Sequence, residues 1–169
     1  MPDDPTQPTA DPGPVYEKLV ERLSRAGIEF ATTRHRPVFT SAEAAAVRGV
    51  DLHSGAKALV VKAGRDFVMI VLPADLLLDG KAAKKALGCK SIRFAKPDEV
   101  RTITDLEPGA IPPFGSLFGL KTYCDERMAD SARINFNAGA HDHSVSMTWD
   151  GYLAAERPTM GRYGTEPIS

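Results

Sequence analysis

The sequence predicts an α+β fold: a mixed, mostly antiparallel sheet, curled or barrel-like, with short helices packed around it. Three observations carry that expectation. Val15, Tyr16, Leu19, Val20 and Leu23 recur at helical spacing, whereas Ala56–Ala63 and Ser144–Trp149 alternate with a period of two. Gly64-Arg65-Asp66 separates two apolar runs, Ala56–Ala63 and Phe67–Leu72, and reads as a hairpin, hence antiparallel pairing. Strands and helices are interspersed without the regular alternation that builds a doubly wound parallel sheet.

Taken in order, Met1–Pro14 is rich in Pro, Asp and Thr, has almost nothing to bury, and reads as a disordered tail. The helix over Val15–Leu23 stops at Gly27, and Ile28–His35 reads as a strand ended by Pro37. Thr40-Ser41-Ala42-Glu43 has the form of a capping box, opening a helix over Ala42–Arg48 that Gly49 closes. After the hairpin, Asp79–Leu87 reads as a short basic helix stopped by Gly88. Ser91–Ala95 reads as a strand, and Lys96–Val100 opens another helix with Pro97 in its first turn. Leu117–Tyr123, Ile134–Asn137 and Ser144–Trp149 read as strands. Asp150 is expected to cap a last helix through Ala155, and Arg157–Ser169 to be a loose end.

The chain has 169 residues, 43% hydrophobic and 25% charged, ordinary values for one soluble globular domain with a proper core. Its longest apolar runs, such as Phe67–Leu72, are too short to cross a bilayer, so no membrane partner is expected. Met1–Pro14 lacks the basic and apolar regions of a secretory signal, which makes the cytoplasm the expected location. Cys89 and Cys124 are far apart and read as small core residues rather than a disulfide or a metal site. Net charge is −1, and the three aspartates of the tail leave the remainder at +2. Within it Lys81, Lys84, Lys85, Lys90, Arg93 and Lys96 crowd together, either a solvated face or a docking patch for a nucleic-acid backbone. No phosphate-binding loop, dinucleotide fingerprint, HExxH or GxSxG motif occurs.

Three stretches bear on chemistry. Gly109-Ala110-Ile111-Pro112-Pro113-Phe114-Gly115 is neither helix interior nor central strand: the prolines fix φ and lack N–H groups, and the glycines let another group approach the main chain. Such a loop is either a stiff surface connection or a frame offering amides and carbonyls to a ligand. Lys57 shares a strand face with Leu59 and Val61, so its ammonium either snorkels from the strand end or stands as a fixed cation in a cleft. Phe39, Thr40 and Ser41 sit at a helix N-terminus, where free N–H groups suit polar or anionic ligands. His141-Asp142-His143 suggests a metal only superficially, since no third ligand is indicated; a polar turn with Gly139 and His141 at a pocket rim is the better reading.

These pieces in this order resemble the YbaK family, the editing domain of bacterial prolyl-tRNA synthetases and its freestanding relatives. The matching stretches are His35–Ala45, Gly55–Val61, Leu72-Pro73-Ala74-Asp75, Leu87-Gly88, Gly109–Gly115 and Asn137-Ala138-Gly139-Ala140-His141. The resemblance covers roughly Val15 to Ala155. It implies a tail over residues 1–14, one YbaK-like domain over 15–163 and a loose C-terminus over 164–169. No synthetase catalytic domain fits in what remains, so a freestanding member is expected.

The activity it implies is hydrolysis, in trans, of the ester joining a wrong, small amino acid to the 3′ end of a tRNA, without metal or cofactor. The expected partner is the aminoacylated tRNA 3′ end, with transient association with translation factors. By the resemblance, Lys57, Gly109 and Pro113 carry catalysis. Phe39, Thr40, Ser41, Ile111, Pro112, Phe114, Gly115, Asn137, Gly139 and His141 bind substrate, and Lys81, Lys84 and Lys85 dock the tRNA. Relatives often carry Ser or Thr where this chain has Pro112, a departure that bears on which amino acid is admitted. The alternative is a non-catalytic module that binds a nucleotide or a tRNA acceptor end.

Overall fold

Val15, Leu19 and Leu23, one helical turn apart, all face inward from the first helix, α1 (Pro14–Arg25). This is a computed structural model, and it describes residues 12–167. The tail expected over Met1–Pro14 therefore lies mostly outside the described residues, and Pro14 itself opens α1. After β1 (Phe30–Arg34) the Thr40 hydroxyl accepts from the Glu43 amide at 3.1 Å and starts α2 (Ser41–Arg48), with Gly49 as its C-cap. The hairpin forms as expected: β2 (Ala56–Ala63) pairs antiparallel with β3 (Asp66–Pro73), Ala63 opposite Asp66 across a two-residue turn.

A short β4 (Leu77–Leu78) follows, then α3 (Gly80–Leu87), with Asp79 as its cap, then β5 (Ile92–Phe94) and α4 (Pro97–Thr104). The rest comprises β6 (Thr122–Asp125), β7 (Arg133–Asn137), β8 (His143–Thr148), α5 (Trp149–Glu156), β9 (Thr159–Gly161) and β10 (Gly164–Thr165). The main sheet runs β5-β2-β3-β6-β9, antiparallel around β2 and parallel from β3 to β6 to β9. A second, antiparallel sheet runs β1-β8-β7, and β10 pairs with β4. Among the described residues the sheets do not close into a barrel; Gly55 bridges to Asn135 and links the first two.

Strand β3 is buried from Val68 to Pro73 because both faces of its sheet are covered, which is why it reads as an unbroken apolar run. On one side Val60, Met69, Val71 and Cys124 join Leu19, Leu23, Phe114, Phe136 and Tyr152 in the larger core. On the other, Val61, Val68, Ile70 and Leu72 pack with Ala83 of α3 and Tyr163. Cys89 and Cys124 are both free, the first half-buried and the second buried.

Three expectations are corrected. Leu117–Tyr123 is not one strand: Gly115–Phe118 forms a 3₁₀ turn, and the strand begins at Thr122. The buried Glu156 carboxylate causes this, accepting from the Ser116 amide at 3.2 Å, from the Ser116 hydroxyl, and from the Thr122 hydroxyl at 2.6 Å. Asp150 does not cap α5; the Thr148 hydroxyl does, accepting from Gly151 at 3.0 Å. The segment after Arg157 is not loose over its described part, because β9 pairs with β6, β10 pairs with β4, and the Asp125 carboxylate accepts from the Tyr163 and Gly164 amides at 3.0 and 2.9 Å.

Candidate active site

Where α2, the start of β2, the end of β7 and the loop before Phe114 converge, they enclose a cavity of about 250 Å³. Its wall includes Phe39, Thr40 and Ser41 from the start of α2, and Lys57 from β2. Gly109 and Ile111 contribute from the loop, and Asn137 and His141 from the β7–β8 connection. Residues separated by up to about a hundred positions in the chain thus share one surface. Of the other residues expected at the site, none lines this cavity.

Those others stand behind it. Phe114 is fully buried, edge-on to Tyr152 with ring centroids 5.3 Å apart. Gly115 sits against Thr122, so close that a β-carbon there would overlap the hydroxyl. Pro112 and Pro113 are buried, and the Tyr152 hydroxyl donates to the Pro113 carbonyl at 2.7 Å. Gly139 backs onto Tyr16 of α1. Lys81 and Lys85 project from the exposed side of α3, and Lys84 is half-buried on the same helix.

The loop itself is pinned from several directions. Glu107-Pro108-Gly109-Ala110 closes a turn through the Ala110 amide and the Glu107 carbonyl at 3.1 Å, with Pro at the second position and Gly109 at φ 88° in the third. A side chain at Gly109 would be strained and would press on the His141 ring, 3.3 Å from where its β-carbon would lie. Asn137 Nδ2 donates to the Gly109 carbonyl at 2.9 Å, and the Gly139 amide to the Ala110 carbonyl at 2.8 Å. Among the described residues the Gly109 and Ile111 amides enter no hydrogen bond within the protein, so they are the loop's uncommitted donors at the cavity wall.

Lys57 is neither a freely snorkelling side chain nor an unanchored charge. It is half-buried, and Nζ donates to the Leu76 carbonyl at 2.5 Å, which leaves two ammonium protons for a ligand. Burial pulls its pKa below the ordinary lysine value, and the charge of Asp75 opposes that pull. Asp75 in turn accepts from His53 Nδ1 at 2.8 Å. Burial lowers the His53 pKa, but its bonds to Asp75, Arg127 and Asp130 outweigh this and raise it.

The two histidines of the His-Asp-His run part company. His141 packs on the largely exposed Phe39 ring, centroids 4.7 Å apart, at the cavity. His143 is buried, bonded to Asp142 at 2.7 Å and edge-on to Tyr16.

The sequence reading missed Arg48, which also lines the cavity. Burial lowers its guanidinium to about 10, and its hydrogen bonds go to the neutral oxygens of Ser144 and Asn137, both at 2.8 Å. A signal for it existed: Ser41, Ala44, Ala45 and Arg48 fall on one face of α2. Once Ser41 is placed at a pocket, Arg48 two turns on must face the same way.

With this geometry in place, residues 35–155 match the family model described as an aminoacyl-tRNA editing domain. The chain is 32% identical over 150 residues to the multifunctional Ser/Thr-tRNA deacylase ProXp-y of Escherichia coli K12, covering 86% of this chain and 90% of that protein. It is 25% identical over 103 residues to the prolyl-tRNA editing protein ProX of Acetoanaerobium sticklandii, covering 60% and 63% of the two chains. A crystal structure of a proposed trans-editing enzyme for prolyl tRNA synthetase superposes with a TM-score of 0.77 over 90% of this chain and 98% of that one. At 22% identity that last likeness speaks for the fold alone.

Proposed function

The chain belongs to the aminoacyl-tRNA editing domain family, and from that premise we propose that it hydrolyses, in trans, the ester of a tRNA mischarged with a small amino acid. The observation that carries the proposal is the cavity, whose wall brings together Lys57, with its anchored ammonium, and Gly109 and Ile111, whose amides are uncommitted. Water adds to the ester carbonyl carbon, the bond to the ribose oxygen breaks, and the water's proton ends on that oxygen. Negative charge builds on the carbonyl oxygen as water adds. The Gly109 and Ile111 amides are already fixed by the loop and stabilise that charge without reorganising. Lys57 holds the terminal phosphate or orients the ester, its position set by Leu76.

Phe39, Thr40, Ser41, Asn137 and His141 bound the aminoacyl group, and selection for a small one rests on steric exclusion by that wall. Pro112 is buried and outside the cavity wall, so its replacement of a hydroxyl residue acts on the acyl group through the loop rather than by contact. No helix among the described residues is long and apolar enough to cross a membrane, which fits a charged-tRNA substrate and a cytoplasmic place of action. Transient contact with translation factors that handle the same 3′ end belongs to this reading.

The test is a panel of tRNAs charged with serine, threonine, alanine or a bulky cognate amino acid. Purified protein is expected to release at least one of the small amino acids and to spare the bulky one. Chelation should leave the rate unchanged, because His141 and His143 do not face a common point. Loss of no amino acid faster than in buffer, with the tRNA still bound, would establish the non-catalytic binding module instead.

A further inference from the structure

One polar chain runs from the protein interior to the cavity loop. Arg48 Nε donates to Ser144 Oγ and Nη2 to Asn137 Oδ1, each at 2.8 Å. Arginine has only donors, so these two bonds orient everything connected to them. The Ser144 hydroxyl, accepting from Arg48, lies 2.6 Å from His35 Nε2. The other ring nitrogen, 2.8 Å from the Arg36 carbonyl, carries a proton, because a carbonyl only accepts. Burial, with the charge of Arg48, lowers the His35 pKa and favours the neutral ring, to whose Nε2 the Ser144 hydroxyl donates. In the other direction, Asn137 accepts on its oxygen, which turns its NH₂ group to the Gly109 carbonyl at 2.9 Å. Six residues from β7, β8, α2 and two loops are thus joined by one consistent set of hydrogen bonds.

We propose that Arg48 is a positioning residue for deacylation: its guanidinium, seated by Ser144 and His35, holds Asn137 so that the Asn137 amide fixes the Gly109 carbonyl and the loop facing the ester. The inference rests on the deacylase reading for its kinetic consequence, but its structural content stands apart from that reading. Gly109 has no side chain to hold it and lies at positive φ, so the set of its peptide plane depends on what its carbonyl bonds to. That bond comes from Asn137, whose amide would be free to rotate without Arg48. A guanidinium suits the task because its planar fork serves two acceptors in fixed directions, which a lysine ammonium does not. The family resemblance assigns no role to Arg48, and the loop motif alone gives no hint of one.

The discriminating variant is Asn137→Asp, which keeps an oxygen for Arg48 but has no proton to give Gly109. With the best substrate of the charged-tRNA panel and enzyme in excess, the single-turnover plateau is expected to fall about 10- to 100-fold, as for a reacting group displaced by a fraction of an ångström. Half-saturation should move less than about threefold, and melting temperature should not drop, because Asp at 137 gives Arg48 a charged partner. Arg48→Lys should show a loss of similar size. The double variant should be no worse than the worse single within about threefold, since both break the same chain. A near-wild-type plateau in Asn137→Asp overturns the proposal. So does rescue by Arg48→Lys with the deficit confined to half-saturation, which would make Arg48 a direct phosphate ligand.

If the wild-type protein deacylates nothing, the functional reading falls and the loop is judged by amide exchange. Exchange of the Ala110 and Gly139 amides, which close the loop's own bonds, should rise at least about tenfold in both single variants if the chain holds the loop. Unchanged exchange there overturns the positioning role by itself.

Discussion

Lys57 shows how much a single side chain's anchoring decides. Its strand places it at the cavity, the Leu76 carbonyl accepts one of its hydrogen bonds, and burial lowers its pKa against the opposing charge of Asp75. Among the described residues the other protons have no hydrogen-bond partner, which leaves them available to a ligand oxygen. Lys57→Ala is expected to lower single-turnover deacylation at least about a hundredfold, on the scale of one lost charge-stabilising donor, with little change in melting temperature. Lys57→Arg should also be poor, because a planar fork does not occupy the place of a point charge that is tied to one carbonyl. Turnover near wild type in Lys57→Ala, measured beside a thermal melt, would take Lys57 out of the mechanism.

Among the elements, α2 and α3 contrast. The eight residues of α2 and their cap supply both ends of a cavity wall: the cap Thr40 with Ser41 at the N-terminus, Arg48 in the last turn. Helix α3 buries Ala83 against the second core and turns Lys81 and Lys85 to solvent, away from the cavity wall. Lysines on that face can act only at a distance, by attracting a polyanion. Replacing Lys81, Lys84 and Lys85 together with Gln is expected to raise KM and flatten its dependence on salt, because fewer counterions are released on binding, while kcat stays within about twofold. An unaltered salt slope would make α3 a solvated face and nothing more. The helix was legible as a short basic run over Asp79–Leu87 with its Gly88 stop; its distance from the cavity was not, because a local run of residues does not say what the helix will meet.

At the scale of the molecule, Asp125 ties the last strands to the main sheet. It is buried at the end of β6 and takes hydrogen bonds from Arg127 and from the Tyr163 and Gly164 amides. Burial would raise its pKa, yet these donors prevail and hold it at about 2. A folded pKa below the unfolded value means that the stabilisation is complete above about pH 4 and is lost as pH falls through about 2. Asp125→Asn should cost roughly 2–3 kcal/mol at pH 7, the scale of hydrogen bonds to a buried charge. The gap between the two proteins should narrow in melts between pH 4 and 2; a constant gap would deny that the charge is responsible. Most helices and strands, the hairpin, the Thr40 cap and the stretches that meet at the cavity were determined by the sequence itself, because each depends on neighbours within a few residues. Only the tertiary structure decided that Glu156 bends Gly115–Phe118 into a 3₁₀ turn, that Asp125 orders the C-terminal strands, and that Arg48 reaches Ser144 and Asn137. Those contacts span 34 to 96 residues. A polar side chain carries no mark in the sequence of which distant partner will satisfy it, so pairings of that length exist only once the chain has packed.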